Sequence, residues 1–434
     1  MFAELMQSGS VPRAVAVLTA HPGVKAAIVC RRPGSHSAKV VAFLQPEDSY
    51  LDQALDRKKA EAGQLRVWRK TYDLTQFAKA AATAPLGFNI LGWNSTYTRE
   101  PFSEDDMREW IDTTVERILT LHPSEVLEIG CGTGLLLLRI APHCTKYAGI
   151  DFSSAVLQRL REQLTQVPDL RGRVELHEGY ADDLRQFAED SFDTVIINSI
   201  AQYFPSLSYF HRVLDQAVRL VKPGGYIFAG DQRSLPLLPA FALSVEASAA
   251  PSDTPADQLR EALAVRLRNE QQLVVSPSFF LSLPALHSKI SRVDIYPRRG
   301  RRDNEMTRFR YDAILRIGSA SPDALNVKFL EPPQGEWTLD LLRSGLRDPA
   351  PALGFARFRN SRVARDVLLL ARLQDAPPNT PLAALCQDLP PAESCGIHPE
   401  ALADLAGEMG YVMVLSWASC HSDGSYDAAF FRAG

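Results

Sequence analysis

The stretch EVLEIGCGTGLLLLRIAPHCTKYAGID, residues 125–151, decides the fold. Its first apolar run includes Glu128, and three glycines follow at Gly130, Gly132 and Gly134. Glycines at the end of a strand let the backbone approach a ligand closely, and the helix that follows offers free N–H groups. We therefore expect a strand, a turn and a helix here, with Glu128 and the three glycines in a cofactor-binding turn.

The spacing of the glycines indicates which cofactor the turn binds. It is GxGxG, and Leu135 stands where the third glycine of the dinucleotide fingerprint GxGxxG would fall. Asp151 ends the second apolar run about twenty residues downstream, where a carboxylate can accept hydrogen bonds from both ribose hydroxyls. The pattern therefore favours S-adenosylmethionine (SAM) over a nicotinamide dinucleotide.

A further carboxylate is expected near the adenine amino group, after the third strand. The segment EGYADDL offers Asp182 and Asp183, of which we favour Asp182, and Tyr180 is placed to flank the adenine ring. The alternative role for Asp182 is that of a helix N-cap.

Apolar runs alternate with amphipathic segments from Pro123 to residue 231. This alternation predicts an α/β fold with a doubly wound, Rossmann-like parallel sheet. We expect the SAM-binding core to cover 122–318, with a helical insertion at 250–290 and the paired last strands at 292–317.

The segments on either side of this core have patterns of their own. Two apolar runs joined by Gly and Pro predict a hairpin module within 1–50. In 51–121 we expect a polar linker helix ended by Gly63, followed by an N-terminal helical lid. The C-terminal extension 319–434 contains a Pro-rich stretch at 375–394 that predicts a loop, and then a final pair of strands.

Composition excludes several classes of protein. The 434 residues are 46% hydrophobic and 23% charged, which is ordinary for a globular protein. A net charge of -4 argues against nucleic acid as a partner, and the absence of a long apolar run argues against a membrane. The six cysteines show no CxxC spacing, so we expect no metal and a cytoplasmic location.

Four stretches resemble the N-methyltransferase domains embedded in non-ribosomal peptide synthetases. They are VLEIGCGTGLLLLRIAPHC, FDTVIINSIAQYFP, GDQRSLPLLPAF and NEMTRFRYDAIL. The resemblance covers about residues 65–434 and implies the class I SAM-dependent methyltransferase fold. HPGVKAAIV with VVAFLQPED resembles the start of the small C-terminal subdomain of an adenylation domain, so we expect a free-standing enzyme that keeps a remnant of an interrupted module.

The resemblance implies a lid that closes over the methionyl part of SAM, with Trp93, Tyr97, Thr98 and Glu100 facing it. Trp93 and Tyr97 are also four residues apart, and an aromatic pair at helical spacing is more often packing than a ligand cage. We favour the ligand role, because the segment WNSTYT carries a polar group beside each aromatic.

The reaction zone is expected just after the fourth strand of the core, at the sheet edge where open α/β sheets bind ligands. Asn198, Gln202 and Tyr203 lie there and are the candidate catalytic residues together with Tyr97. For Phe204 we favour a simple core role.

The chain departs from the pattern it resembles on the acceptor side. Gln232 replaces a valine and Ala242 replaces a histidine, so a candidate base is missing. Asp231, Arg233, Asn304 and Glu305 remain, although Arg233 and Glu305 could form a purely structural ion pair.

Two chemistries remain open, both with a small-molecule substrate. In the favoured one, the α-amine of SAM attacks its own γ-carbon and closes azetidine-2-carboxylic acid, releasing methylthioadenosine; enzymes similar to this family do this. In the alternative, SAM methylates the amine of a free amino acid or of an aminoacyl thioester on a peptide-synthetase carrier protein. A third hypothesis is a SAM-binding scaffold without catalysis.

Overall fold

The computed structural model describes residues 18–19, 24–32, 39–46, 59–71, 85–318, 327–332, 336–347 and 351–432. The strands are β1 Val24–Arg32, β2 Lys39–Pro46, β3 Glu125–Ile129, β4 Lys146–Asp151, β5 Val174–Glu178, β6 Phe192–Asn198, β7 Val221–Arg233, β8 Ile290–Pro297, β9 Arg310–Ile317, β10 Phe329–Leu330, β11 Ala352–Phe358, β12 Tyr411–Ser416 and β13 Tyr426–Arg432. The α-helices are α1 59–71, α2 Glu104–Leu119, α3 Leu137–Ile140, α4 Ser154–Leu164, α5 Leu207–Leu220, α6 Leu238–Ala249, α7 Ala256–Arg268, α8 Pro277–Leu286, α9 Glu305–Arg308, α10 Leu339–Gly345, α11 Ser361–Asp375, α12 Leu382–Cys386 and α13 Pro399–Glu408.

The chain divides into two compact units, Met1–Trp68 and Arg69–Gly434. In the first unit, β1 and β2 pair antiparallel, which confirms the predicted hairpin. The prediction that Gly63 ends the linker helix is wrong, because α1 is helical through this position. A glycine inside a helix costs only about 1 kcal/mol, which helix-forming neighbours can offset. The first part of the predicted linker helix, 51–58, lies outside the described residues.

The second unit is built on a seven-stranded sheet in the order β5-β4-β3-β6-β7-β9-β8. All its strands run parallel except β9, which is antiparallel to β7 and β8. The central strands are continuous apolar runs because helices cover both faces of a parallel sheet. This is the class I SAM-dependent methyltransferase arrangement, and the predicted α/β fold is confirmed. The strand order reverses at β3, so ligands are expected at the carboxyl ends of β3 and its neighbours.

The lid region combines an irregular segment with one well-defined helix. Ser103 caps α2 by accepting a hydrogen bond from the Asp106 N–H at 3.1 Å. Before the helix, residues 85–103 form turns and a single antiparallel bridge between Asn94 and Pro101. The expected helical lid is therefore wrong for this segment, because local turn hydrogen bonds hold it in a hairpin-like loop.

The helical insertion and the C-terminal region pack on each other within the second unit. Leu243, Leu259, Leu369 and Leu382 lie in one buried cluster contributed by α6, α7, α11 and α12. The prediction that 375–394 is a loop is wrong in part, because α12 lies inside it. Proline is compatible with a helix start, so a Pro-rich segment can still hold a short helix.

The remaining strands form a four-stranded sheet in the order β10-β11-β13-β12, which confirms the final strand pair. Among the helices that the structure describes, none has the length and apolar character needed to cross a membrane.

Candidate active site

The glycine turn after β3 has the backbone that its sequence predicts. All three glycines have positive φ: +75° at Gly130, +48° at Gly132 and +83° at Gly134. A Cβ at Gly130 would lie 2.6 Å from Ile200, and one at Gly134 would lie 2.6 Å from Leu160, so packing requires both glycines. A Cβ at Gly132 would meet nothing closer than 4.0 Å. The turn is therefore open at Gly132, where the backbone of a ligand-binding loop would contact its ligand.

Asp151, the last residue of β4, faces this turn. Its Oδ2 accepts a hydrogen bond from the Gly132 N–H at 3.0 Å, and its Oδ1 accepts one from the Ser153 N–H at 2.9 Å. These bonds fix the carboxylate beside the open glycine, at the place expected for a ribose-binding acid. Its contact with the ribose stays a prediction.

Glu128 lies on β3 beneath the turn and is 4% exposed. It accepts a hydrogen bond from the Tyr147 hydroxyl at 2.8 Å. Burial raises the pKa of Glu128 to about 8, with a smaller contribution from the Asp151 charge, and the bond from Tyr147 opposes the rise. The side chain is therefore largely protonated at neutral pH, and it supports the turn without adding a second negative charge beside Asp151.

The two acids after β5 have different surroundings. Asp182 forms an ion pair with Arg212 at 3.5 Å and a hydrogen bond with the buried Tyr209. Asp183 pairs with Arg185 at 2.7 Å, and both side chains are exposed. Asp182 is thus the acid held against the core, and its contact with the adenine amino group stays a prediction.

An aromatic pair and an arginine lie beside these acids. The ring of Tyr180 is 6.3 Å from that of Phe152, with 31° between the planes. Arg69 bonds to Glu178 at 2.5 Å and also to Tyr180. The sequence pattern indicates Tyr180, whereas no motif marks its neighbours Arg69 and Phe152.

Trp93, Thr96 and Tyr97 of the lid segment each contact a neighbouring element. Trp93 packs on Trp110 of α2, with ring centroids 4.6 Å apart. The Tyr97 hydroxyl is 2.7 Å from the hydroxyl of Ser244 on α6. Thr96, which sequence reasoning missed, donates its N–H and O–H to the buried Glu305, both at 2.8 Å.

The other two lid residues named from the resemblance lie at the tip of the loop. Thr98 and Glu100 are exposed, and the Thr98 hydroxyl accepts a hydrogen bond from the Glu100 N–H at 3.2 Å. This local bond gives them a turn-forming role in the structure described.

The ion pair suggested between Arg233 and Glu305 is wrong. Arg233 pairs with Glu270 at 2.8 Å and with Gln272 at 3.0 Å, both in the segment before α8. Glu305 instead accepts hydrogen bonds from Thr96 of the lid. Arg233 and Glu305 therefore connect different elements. Asn304 caps the short helix α9 that carries Glu305.

The reaction zone begins at Asn198, the last residue of β6. Its side chain is 7% exposed, and its Oδ1 has no hydrogen-bond partner in the part of the chain that the structure describes. Gln202, 6% exposed, donates to the backbone carbonyl of Ser199 at 2.8 Å. The side chain of Tyr203 is half-buried, and it has a coulombic interaction with the guanidinium of Arg310. Phe204 packs in the aromatic core, as expected.

Asp231 is the centre of a buried hydrogen-bond network that includes Ser199, the residue after Asn198. It is fully buried and has a φ of +59°, a strained conformation for a residue with a side chain. Its carboxylate accepts hydrogen bonds from the Trp110 indole at 3.2 Å, from Arg310 at 2.5 Å and from the Ser199 hydroxyl. Sequence reasoning retained Asp231 but could not assign these partners, which lie on three separate elements.

Comparisons with known proteins give the following similarities. Residues 127–229 match the family described as a methyltransferase domain. Chondramide synthase of Chondromyces crocatus is 35% identical over 94% of this chain, and the beauvericin nonribosomal cyclodepsipeptide synthetase of Beauveria bassiana is 30% identical over 70%. The chain spans only 10% and 9% of those two relatives. The solved structure of the N-methyltransferase NodS from Bradyrhizobium japonicum WM9 has 16% identity and a TM-score of 0.34, covering 49% of this chain and 99% of that one.

Proposed function

We propose that this chain, which belongs to the SAM-dependent methyltransferases of the type embedded in non-ribosomal peptide synthetases, uses SAM as its only substrate. The α-amine nitrogen of SAM attacks the γ-carbon and forms the new C–N bond. The C–S bond breaks, and its electron pair stays on sulfur, which leaves as neutral methylthioadenosine. The azetidinium nitrogen then loses a proton to solvent, giving azetidine-2-carboxylic acid.

The contact between Tyr97 and Ser244 carries the proposal. It joins the lid to α6, the helix that carries Ala242, with the two hydroxyls 2.7 Å apart. Tyr97 also packs edge-on against Phe241, at a centroid distance of 6.1 Å. Ala242, which stands where the resembling domains have a histidine, is 1% exposed. The lid thus contacts α6 here, and the helix lacks the candidate base that an external amine would use.

Ring closure makes small demands on acid–base chemistry. The attacking amine must be neutral, and a free α-amino group has a pKa near ~8, so the neutral form is accessible at ordinary pH. The main requirement is a folded methionyl chain, with the nitrogen behind the γ-carbon in line with the leaving sulfur. A closed polar and aromatic site can impose that conformation.

Asn198 is the best-supported residue for this positioning. An unpaired buried acceptor costs about 1–3 kcal/mol, so its Oδ1 favours a ligand that donates a hydrogen bond. The amine of SAM is such a donor. The side-chain amide of Gln202 and its backbone carbonyl are already bonded to Ser199 and Leu273, so we assign Gln202 to holding the loop. Tyr203 completes the proposed contact set.

The second candidate function is N-methylation of a free amino acid or of an aminoacyl thioester on a carrier protein. The observation that favours it is the identity of 35% over 94% of the chain with a relative named as a peptide synthetase. Here the external amine attacks the methyl carbon, and S-adenosylhomocysteine leaves. The two functions would share the SAM site and differ in the carbon attacked.

Incubation of the pure protein with SAM alone separates the two functions. We expect methylthioadenosine and azetidine-2-carboxylic acid in equal amounts above a no-enzyme control, both read by mass spectrometry. S-adenosylhomocysteine that appears only when an amino acid or aminoacyl carrier is added would reject ring closure and support methyl transfer. If no product forms under either condition, the remaining hypothesis is a SAM-binding scaffold without catalysis.

Variants locate the chemistry within the site. Asn198→Ala and Tyr203→Phe should lower turnover while SAM affinity by calorimetry stays near that of the wild type, because their contacts matter most in the attacking conformer. Asn379→Ala, at an exposed asparagine outside the site, is the matched control. Equal turnover of Asn198→Ala and the control would remove Asn198 from the mechanism.

A further inference from the structure

Two histidines and one aspartate meet between α5 and the end of α8, and none of them belongs to the SAM site. His211 and Asp215 lie one turn apart on α5, and His287 is the C-cap residue of α8. The Asp215 carboxylate lies between the two rings: Oδ2 is 3.3 Å from His211 Nδ1, and Oδ1 is 3.0 Å from His287 Nε2. We propose that these three residues bind a divalent transition-metal ion of the zinc class, which fastens the helical insertion to α5.

The distances fit the coordination shell of such an ion. Zinc binds imidazole nitrogen at about 2.0–2.1 Å and carboxylate oxygen at about 2.0–2.2 Å. Two ligands of one ion are then separated by about 2.9 Å at a right angle and by about 3.4 Å at the tetrahedral angle. The contacts of 3.0 and 3.3 Å fall in this range, and one donor atom from each residue lies within 4.8 Å of the others. To close the shell, side-chain rotations must bring donor atoms that now lie within 4.8 Å of one another to these separations.

Two of the donor atoms need a partner. Asp215 Oδ1 and His287 Nε2 are buried, and neither makes a hydrogen bond within the described residues, although they are 3.0 Å apart. Their mutual contact at 3.0 Å lacks hydrogen-bond geometry, so it offsets their desolvation only in part. A cation between them would satisfy both atoms at once.

The elements that carry the donors are firmly packed. Phe210, next to His211, contacts Phe279 and Phe280 of α8 at centroid distances of 5.8 and 5.7 Å. The His287 N–H donates to the Leu283 carbonyl at 2.8 Å, which fixes its backbone at the helix end. The C-terminal end of a helix carries partial negative charge and favours a nearby cation. The site is therefore held in place before an ion arrives.

Two imidazoles and one carboxylate form a set of ligands of intermediate softness. Such a set suits zinc, cobalt, nickel and iron and disfavours calcium or magnesium. Three protein ligands leave at least one coordination position for water. The sequence hides the site, since a His-x-x-x-Asp pair on a helix is common and the third ligand lies on a distant segment.

The test uses full-length protein without a histidine tag, stripped with EDTA and desalted. Cobalt titration should give visible d–d absorption that saturates at one ion per chain, and zinc should displace the cobalt. Zinc should also raise the melting temperature of the wild type. His211→Asn, Asp215→Asn and His287→Asn should each weaken cobalt binding about 100-fold, and zinc should no longer stabilise them.

The control variant is His143→Asn, at an exposed histidine outside the cluster, which should bind cobalt like the wild type. Melting curves in EDTA show whether each variant folds. Binding well below one ion per chain would overturn the proposal. So would cobalt affinity that is unchanged in folded variants of the cluster, because the three residues would then be only a hydrogen-bonded group.

Discussion

The protonation of Glu128 makes the stability of this chain depend on pH in an unusual direction. Burial raises its pKa to about 8 from an ordinary value of 4.5. Below pH 4.5 the folded and unfolded chains both hold the proton. Between 4.5 and about 8 only the folded chain holds it, so folding loses stability as the pH rises. Above about pH 8 Glu128 is ionised in both the folded and the unfolded chain, and the full loss of unfolding free energy remains.

The perturbation that isolates this effect is Glu128→Gln. The amide oxygen can still accept the hydrogen bond from Tyr147, while the titrating group is removed. The difference between 4.5 and about 8 corresponds to an upper limit of about 5 kcal/mol, at ~1.36 kcal/mol for each pH unit. Relative to the variant, the wild type should therefore lose about 3 kcal/mol of unfolding free energy between pH ~5.5 and ~7.5.

Urea unfolding of both proteins, followed by tryptophan fluorescence across this range, measures the difference. Taking the difference cancels the titration of all other groups. Glu162→Gln, at an exposed position on α4, is the matched control and should show no such trend. If the gap between wild type and Glu128→Gln stays constant with pH, Glu128 is ionised in the folded chain and the reasoning fails.

Three further predictions address the cofactor site and the core. Gly132→Val should abolish SAM binding by calorimetry, because its side chain enters the open space expected for the ligand, and should also lower the melting temperature, because Val is strained at a φ of +48°; retained binding in the folded variant would mean that the ligand lies elsewhere. Asp151→Ala should weaken SAM binding by about 2 kcal/mol, as the ribose hydroxyls lose a charged acceptor; unchanged affinity would remove Asp151 from the site. Arg298→Met should cost about 3–5 kcal/mol of stability in urea, because buried Arg298 bonds to Asp312 at 3.0 Å and to Thr114 at 2.7 Å; a loss below about 1 kcal/mol would show that Arg117 alone compensates Asp312.

The parts of the fold that the sequence predicts well are those set by local pattern. The strands of the core follow from apolar runs between turns, and the glycines follow from the need for positive φ at Gly130, Gly132 and Gly134. Asp151 is placed by the same logic, since the residue that ends β4 must face the turn after β3. These features depend on a few neighbouring residues, which the sequence displays together.

The failed predictions concern features whose partners lie far apart in the sequence. Trp93 and Tyr97 have helical spacing, yet they sit on an irregular loop because its packing on Trp110 and Ser244 outweighs a weak local preference. Glu305 has charge complementary to Arg233, but the lid occupies it instead. Spacing and charge indicate which residues can pair, whereas the three-dimensional fold decides which ones meet.

The lid and the reaction zone are joined by a continuous set of contacts that passes through Asp231. Trp93 of the lid packs on Trp110, whose indole donates to Asp231, and Asp231 in turn binds Arg310, on which Tyr203 acts. A strained backbone at a fully buried acid persists only where its surroundings determine it strongly. Because Asp231 bonds to both sides, a shift of the lid that moves Trp110 must also change the environment of Tyr203. Asp231 therefore links the packing of the lid on Trp110 to the surroundings of Tyr203.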